Sequence, residues 1–206
     1  MARIIEVHPV DPQPRRIAKI VAAIHNGGLI AYPTDSSYAL GCHLGDKRAM
    51  DAIRRIRRTD KDHNFTLVCS DLSEISNYAR VENWSYRLLK ALTPGPYTFI
   101  LPATREVPKR LQHPKRRTIG LRVPDHRVVR AMLEALGEPI MSSTLSLPGD
   151  DMPLTEVDEI ERRIGHEIDL IVDAGPTGID PTSVLDLTGD VPRVLRVGRG
   201  DLGFLE

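Results

Sequence analysis

The sequence predicts an α/β fold in which a twisted, mixed β-sheet is flanked by helices, and three observations support this. Short apolar runs typical of buried strands alternate with segments whose apolar residues recur at helical spacing. Predicted strands follow one another directly at both ends of the chain, which argues against a purely alternating, doubly wound sheet. No repeat, low-complexity tract or composition break divides the 206 residues. We therefore expect one domain over 1–206, with a core at about 14–199.

The helices are predicted from apolar residues three and four positions apart. The helical segments cover 17–24, 49–56, 71–78, 88–92, 128–136 and 160–164. Gly27 and Gly28 end the first of them, Asp71 begins the third, and Thr155 with Asp158 is expected to begin the last.

Seven or eight short strands are predicted from brief apolar or alternating runs between turn residues. They cover 29–32, 65–69, 97–101, 118–123, 140–143, 168–172, 183–187 and 193–197. Strands and helices in this order place a mainly mixed sheet between helical layers.

Composition is typical of a globular protein from a reducing compartment. The chain is 41% hydrophobic and 27% charged, values that argue against a disordered chain. Its two cysteines, Cys42 and Cys69, are too few and too far apart for a disulfide framework or a CxxC pair. No apolar run approaches the roughly 18 residues that span a bilayer, and no signal peptide is evident. We expect a cytoplasmic protein without a membrane partner.

The charges are balanced overall but segregated along the chain. The formal net charge is zero, which argues against a purely electrostatic nucleic-acid binder. Residues 105–130 nevertheless carry nine Lys and Arg against two acids, and 150–173 carry nine Asp and Glu against two basic residues. Such a chain can present a cationic face while remaining neutral, although solvated loops would give the same pattern.

Standard catalytic motifs are absent from the sequence. There is no G-x-x-x-x-G-K-[ST] loop, no H-E-x-x-H and no G-x-S-x-G. Aromatic residues make up only 4%, which argues against a single-stranded RNA module built on base stacking. The seven histidines are scattered, so the sequence does not assign a metal site.

Four clusters of Pro, Gly, Ser and Thr adjoin predicted strands, where they place hydroxyl and backbone N–H groups at the rim of the sheet. The clusters lie at 33–38, 94–98, 142–149 and 181–184. Arginines accompany them at 54–58, at Arg122 and at Arg196, and their guanidinium groups match phosphate oxygens. Each cluster alone is an ordinary turn. Together they predict a basic, hydroxyl-lined pocket for nucleotide phosphates.

These segments resemble the ordered motifs of the YrdC/YciO family, the L-threonylcarbamoyladenylate synthases and their paralogues. The stretch PTDSSYALG at 33–41 resembles P-T-[DE]-[ST]-x-Y-[AG]-L-G, and PGPYTFIL at 94–101 resembles P-G-P-x-T-x-[IV]-L. TIGLRVP at 118–124 and PTSVLD at 181–186, followed by Arg196, match two further motifs. The resemblance runs from about 18 to 199 and is greatest to the YciO branch.

The resemblance implies a YrdC-like domain with a basic concave face. Its reaction joins L-threonine, bicarbonate and ATP, with Mg²⁺ as cofactor, into threonylcarbamoyl-AMP for N6-threonylcarbamoyladenosine modification of tRNA. By motif position, the threonine-binding residues would be Thr34, Arg122 and Ser142. The nucleotide-binding residues would be Arg55, Arg57, Thr118, Thr144, Ser183 and Arg196. The catalytic residues would be Arg55, Arg57, Thr144 and Ser146.

Two departures from the synthase pattern leave the activity open. The synthases' K-x-R is matched by Arg55 and Arg57, or in a shifted register by Arg57 and Arg58, and the following loop with His63 and Asn64 lacks the family proline. Their S-x-N becomes Thr144-Leu145-Ser146. Three functions therefore remain: a nucleotidyltransferase that makes threonylcarbamoyl-AMP or a related adenylate, a paralogue that binds double-stranded RNA or tRNA with weak or no synthase activity, and a protein that only binds nucleotide.

Overall fold

Six α-helices and ten strands alternate along the chain in a computed structural model that describes residues 1–59 and 65–205. The helices are α1 (Pro14–His25), α2 (Lys47–Arg57), α3 (Leu72–Tyr78), α4 (Asn83–Leu92), α5 (Arg127–Leu136) and α6 (Val157–Ile164). The strands are β1 (Arg3–Glu6), β2 (Ile30–Tyr32), β3 (Ala39–His43), β4 (Thr66–Val68), β5 (Tyr97–Pro102), β6 (Thr118–Arg122), β7 (Ile140–Thr144), β8 (Leu170–Asp173), β9 (Ser183–Asp186) and β10 (Arg193–Arg196).

The ten strands form one mixed sheet in the order β1-β8-β2-β3-β7-β4-β6-β5-β9-β10. Strands β1, β8 and β2 run parallel, as do the pairs β4–β6 and β5–β9, whereas the remaining neighbours are antiparallel. This arrangement confirms the predicted α/β class with a mixed sheet. The exact domain bounds of 1–206 stay a prediction.

Helices cover the two faces of the sheet unequally. The apolar stripes of α1 and α5 pack on one face, against side chains of β1, β2, β4, β7 and β8. Helices α2, α3, α4 and α6 contribute to the core on the opposite face, which extends to β5, β6 and β9. The first face, here called the α1/α5 face, is therefore left without a helical cover toward β6, β5 and β9.

The helix ends follow the predicted signals in most places. Asp71 begins α3, and its side chain accepts a hydrogen bond from the backbone N–H of Glu74 at 2.9 Å. Helix α5 ends at Gly137, which has the left-handed φ of 74°. The prediction that Thr155 begins the last helix was wrong: α6 follows Glu156, with no capping side-chain hydrogen bond.

Two strands, β1 and β3, were missed by the sequence analysis. Each is defined by pairing with partners far along the chain, β1 with β8 and β3 with β7. His63 and Asn64, in the loop after α2, lie outside the described residues. Within the described ranges, no helix is long and apolar enough to cross a membrane.

Candidate functional site

A cavity of about 390 Å³ opens on the part of the α1/α5 face that the helices leave uncovered. Its floor is a cross-strand row in which Ser142 pairs with Thr66, Thr66 with Gly120, and Gly120 with Ile100. Paired residues point to the same side of a sheet, so this row presents two hydroxyls to the cavity. The position of the row on four neighbouring strands makes the floor rigid.

Gly120 keeps the middle of this floor open. A Cβ atom at this position would lie 2.9 Å from Thr66 Oγ1 and 3.5 Å from Thr98 Cγ2. The absence of a side chain therefore leaves room for a ligand to approach the backbone of β6.

Three arginines converge on the cavity: Arg57 from the end of α2, Arg122 from the end of β6 and Arg196 from the end of β10. Burial lowers the pKa of Arg57, and the positive charge of Arg196 lowers it further. Burial likewise lowers the pKa of Arg196, with an added effect of Arg122. Arginine remains charged at neutral pH, so the cavity holds three mutually repelling cations that an anionic ligand would relieve.

Arg57 is held by the loop that follows β7. Its Nη1 donates a hydrogen bond to the hydroxyl of Ser143, and its Nε lies 3.5 Å from the carbonyl oxygen of Ser146. The guanidinium therefore lies beside the Thr144–Ser146 segment.

Arg122 is fixed by a buried ion pair with Asp35, and both side chains are only 9% exposed. Its Nη1 also lies 3.4 Å from the hydroxyl of Ser36, and the second carboxylate oxygen of Asp35 accepts a hydrogen bond from the backbone N–H of Asp125 at 2.9 Å. Among the described residues, the buried Nε of Arg122 has no hydrogen-bond partner. The ion pair with Asp35 pre-orients the guanidinium, which lines the cavity.

The loop that carries Asp35 is shaped by Thr34. The Thr34 hydroxyl donates to the carbonyl of Ser37 at 2.7 Å and accepts from the backbone N–H groups of Ser36 and Ser37 at 3.2 and 3.3 Å. Such side-chain-to-backbone bonds stabilise a turn. Thr34 lines the cavity, but its hydroxyl is largely engaged in holding its own loop.

Ser142 is positioned by the buried phenol of Tyr32, whose oxygen lies 2.7 Å from the serine hydroxyl. Burial raises the pKa of Tyr32 to about 12, so this phenol is neutral at physiological pH and can donate the hydrogen bond. The Ser142 hydroxyl then has its own proton to donate to a ligand in the cavity.

On the opposite wall, Arg196 is bound to Thr182. Its Nε donates to the Thr182 carbonyl and its Nη2 to the Thr182 hydroxyl, each at 2.9 Å. That hydroxyl lies 2.9 Å from the hydroxyl of Thr98. The resulting chain of polar groups continues the hydroxyl lining from β5 to β10.

The rim combines apolar side chains with one carboxylate. Pro153, Ile179 and Leu195 border the opening, and Ile179 and Leu195 are 46% and 48% exposed. Asp151 is the single acid among the described residues that line the cavity. The cavity thus offers cationic and hydroxyl groups at depth and an apolar border suited to the flat face of a base.

Seven of the predicted site residues lie together in this cavity: Thr34, Arg57, Arg122, Ser142, Thr144, Ser146 and Arg196. Three others, Arg55, Thr118 and Ser183, are not among the described residues that line it.

Arg55 lies outside the cavity because it projects from a different side of α2. Its side chain is 66% exposed, and its Nε lies 3.5 Å from a carboxylate oxygen of Glu167. The alternative match of the synthases' K-x-R to Arg57 and Arg58 also places one arginine outside the cavity. Arg58 is the exposed residue that ends α2, with a φ of 47°. Arg57 is therefore the one arginine of 54–58 that lines the cavity among the described residues.

Ser183 points away from the cavity because of strand alternation. Val184, paired with Thr98, faces the cavity, so the neighbouring Ser183 faces the opposite side. There its hydroxyl donates to the Gly200 carbonyl at 2.6 Å and accepts from the Gly198 N–H at 3.0 Å. Thr118 shares the face of Gly120 but lies at the start of β6, beside Pro102.

The sequence analysis missed Asp35, Thr66, Thr98, Asp151 and Thr182. Asp35 and Thr182 lie inside the motifs that the analysis singled out, and Thr98 lies within a third motif. Strand alternation would have assigned Thr98 to the face of Gly120 once the pairing of β5 with β6 was known. Nothing in the sequence marks Thr66 or Asp151.

A second cavity, of about 930 Å³, lies in the 102–117 segment between β5 and β6 and is here called the basic cavity. Its lining includes Arg80, Arg105, Lys109, Arg116 and Arg117, and no carboxylate among the described lining residues. Four of the nine basic residues of the 105–130 run therefore line this cavity, whereas Arg122 lines the first one.

Comparisons with known proteins find relatives of this chain in sequence and in structure. The family model "Sua5_yciO_yrdC: Telomere recombination" matches residues 22–198. YciO of Escherichia coli (strain K12) is 50% identical over 202 residues, with 98% of each chain covered. The crystal structure of E. coli YciO superposes with a TM-score of 0.95 over 98% of both chains.

Two more distant relatives carry informative names. A threonylcarbamoyl-AMP synthase of Alkalilimnicola ehrlichii is 31% identical over 183 residues, covering 86% of this chain and 95% of the relative. The crystal structure of P. abyssi Sua5 complexed with L-threonine is 26% identical, with a TM-score of 0.86 over 95% of this chain and 57% of that one. The family model, which spans most of the chain, confirms the resemblance found in the motifs. The chain belongs to the Sua5/YciO/YrdC family.

Proposed function

We propose that the cavity binds ATP together with L-threonine and forms threonylcarbamoyl-AMP from L-threonine, bicarbonate and ATP, with release of pyrophosphate. The observation that carries the proposal is the convergence of Arg57, Arg122 and Arg196 around a hydroxyl-lined floor. The names of two relatives, a threonylcarbamoyl-AMP synthase and a Sua5 bound to L-threonine, support the choice of substrates.

The chemistry requires positioning and neutralisation of charge. The amine of threonine and bicarbonate give a carbamate and water, and a carbamate oxygen then attacks the α-phosphorus of ATP while pyrophosphate leaves. Such a transfer depends on aligned groups and on cations near the phosphate oxygens more than on a strong base. The cavity has this character, since arginines and hydroxyls dominate its described lining.

The two walls of the cavity would bind different substrates. Arg122, with Thr34 and Ser142 in the same lining, would take the threonine carboxylate, because its guanidinium is held in place by Asp35. Arg57 and Arg196 would bind the phosphates of the nucleotide from the side of Thr144 and Thr182. The apolar rim would contact the adenine.

The residues present also fit a Mg²⁺ ion that accompanies ATP. Mg²⁺ takes one or two carboxylates, phosphate oxygens and several waters, and Asp151 is the available carboxylate in the described lining. When bound, the ion would offset negative charge on the phosphates. Asp151 would be the residue that holds it.

Pyrophosphate release tests the proposal directly. The purified protein with ATP, Mg²⁺ and bicarbonate should release pyrophosphate only when L-threonine is added. Arg57→Ala should lower the rate about 10²- to 10³-fold, the scale of one preorganised donor lost from a developing charge. Pyrophosphate release that does not depend on threonine, or no release at all, would overturn the synthase reaction. Nucleotide binding without pyrophosphate release would favour the nucleotide-binding alternative.

Arg55→Ala is the discriminating companion variant. The motif resemblance predicts a loss similar to that of Arg57→Ala, whereas the exposed position of Arg55 beside Glu167 predicts a rate close to that of the unmodified protein. Arg87→Ala, on the exposed side of α4, controls for the loss of one positive charge.

A second candidate function, binding of double-stranded RNA or tRNA, is favoured by the basic cavity. Phosphate contacts make RNA affinity fall steeply with salt, and each lost contact reduces the log–log slope by about one unit. Lys109→Ala with Arg116→Ala should flatten the slope by about two units, whereas Arg87→Ala with Lys90→Ala on α4 should leave it unchanged. Binding that is absent or insensitive to salt would reject this function.

A further inference from the structure

A cluster of two imidazoles and one carboxylate lies away from both cavities. His25 is the last residue of α1, His43 is the last residue of β3, and Glu138 follows the glycine that ends α5. One ligand atom from each lies within 4.8 Å of the other two. We propose that these three side chains form a binding site for a divalent transition-metal ion of the Zn²⁺ class.

The donor set and spacing suit such an ion. Zn²⁺ accepts imidazole nitrogen and carboxylate oxygen at about 2.0–2.2 Å, so tetrahedral ligand atoms lie roughly 3.4 Å apart. The Nε2 of His43 lies 2.7 Å from Glu138 Oε1, and the rings of His25 and His43 are 6.0 Å apart between centroids. The three ligand atoms lie within 4.8 Å of one another, so binding would require each to shift by about 1 Å toward a common centre. Hard cations such as Mg²⁺ prefer oxygen-only sites, which argues against them here.

The backbone holds the three donors in place independently of the side chains. His43 pairs with Ile140, two residues beyond Glu138, in the antiparallel ladder of β3 and β7. Gly137, in the left-handed conformation, turns the chain sharply between α5 and Glu138. Three separate elements thus converge by fold, so the ion would find a largely preformed site.

The local field also favours a cation. Helices α1 and α5 both end at the cluster, and a helix carries a partial negative charge at its C-terminal end. The carboxylate of Glu138 adds a full negative charge. His43 and Glu138 are 35% and 29% exposed, and His25 is exposed, so an ion can enter and keep at least one water ligand.

The site is distinct from the proposed nucleotide cavity. Ala39, at the other end of β3, lines that cavity, and four residues of strand place its Cα about 13 Å from that of His43. Cys42 and Cys69 are fully buried among apolar side chains of the core and are not part of the cluster. The inference therefore does not depend on the enzymatic proposal.

Isothermal titration of tag-free, EDTA-treated protein with ZnCl₂ tests the site. We expect one Zn²⁺ per chain, a rise in melting temperature with zinc, and affinity weakened about tenfold or more by His25→Ala and by Glu138→Gln. Glu138→Gln preserves size and hydrogen bonding, and His25 is exposed, so both variants should fold. His166→Ala, which removes a histidine that is 67% exposed elsewhere, should bind as the unmodified protein does.

Three outcomes would overturn the assignment. They are no stoichiometric zinc uptake, an affinity of the His25→Ala and Glu138→Gln variants equal to that of the unmodified protein, or a weakening caused by His166→Ala alone. Co²⁺ gives a second readout that reports the geometry. The visible absorption of tetrahedral Co²⁺ should appear with the unmodified protein and disappear with His43→Ala. Its persistence in that variant would also exclude the site.

Discussion

Asp35→Ala should destabilise the fold by about 3–5 kcal/mol, because it removes one partner of a buried ion pair and leaves the other charge uncompensated. The carboxylate of Asp35 and the guanidinium of Arg122 are each only 9% exposed, so water from the cavity replaces the lost partner only in part. The substitution also removes the 2.9 Å hydrogen bond that Asp35 accepts from the backbone of Asp125. For a chain of this length the loss corresponds to a fall in melting temperature of about 6–20 °C.

A double-mutant cycle isolates the pair itself. Arg122→Met removes the charge while keeping an apolar stem, and combining it with Asp35→Ala should cost less than the two changes added together, by about 1–3 kcal/mol. Urea unfolding followed by circular dichroism gives the four free energies. Arg162→Ala serves as the control, since its 75% exposed side chain lies 4.0 Å from Glu159 and should change stability by less than about 0.5 kcal/mol.

Additive losses in this cycle would refute the reasoning. They would mean that Asp35 and Arg122 do not restrain each other in solution, and that the guanidinium is not pre-oriented for a substrate carboxylate. A loss of unfolding free energy of less than about 1 kcal/mol in Asp35→Ala would have the same meaning, because a buried unpaired charge destabilises a fold by more than that.

Three further changes probe other parts of the molecule. Arg196→Gln should weaken ATP binding about 10- to 100-fold in calorimetry, since a hydrogen bond to a charged group contributes about 1.5–3 kcal/mol; unchanged affinity would remove Arg196 from the phosphate site. Gly198→Ala should lower stability by about 1–3 kcal/mol in thermal melts, because its Cβ would overlap the Pro181 carbonyl oxygen; an unaltered melt would contradict this packing. Burial lowers the pKa of His126, so its contribution to stability is present above the ordinary His value near 6.5 and is lost as the pH falls below it; urea midpoints should show this loss in the unmodified protein and less of it in His126→Asn.

The helices were predictable because each buries one stripe of its own surface. In α5 the buried residues Val128, Val129, Met132, Leu133 and Leu136 recur at helical spacing, so the pattern is complete within ten residues. A helix satisfies its own backbone hydrogen bonds, and the sequence of that segment therefore carries most of the signal.

The two missed strands lack such a local signal. In β1 only Ile5 is buried, and its neighbours Arg3, Ile4 and Glu6 are exposed at the edge of the sheet. Strand β3 is buried except at His43, but it contains Gly41 and follows a turn-rich stretch, which locally favours a loop. Strand β1 pairs with the distant β8, and β3 lies between the neighbouring β2 and the distant β7; this pairing is not visible in either segment alone.

Site residues were predictable as segments but not always as individual side chains. Of the four arginines at 54–58, the packing of α2 against the sheet brings Arg57 alone, among the described residues, to the cavity. In the same way, the pairing of β9 with β5 turns Ser183 away from the cavity and leaves Thr182 in it. The partner of Arg122 lies 87 residues away in sequence, so its pairing with Asp35 depends entirely on the tertiary fold.

The alternation of residues along β5 and β6 explains why the cavity lies where it does. Phe99, Ile119 and Leu121 face the core beneath α2–α4, whereas Thr98 and Arg122 face the other side. A strand with one apolar and one polar face needs a helical cover on the apolar face only. Helices α1 and α5 cover only the strands nearer β1. The polar face of β5 and β6 therefore remains open without exposing the side chains of the core. The same alternation that builds the core lines the cavity.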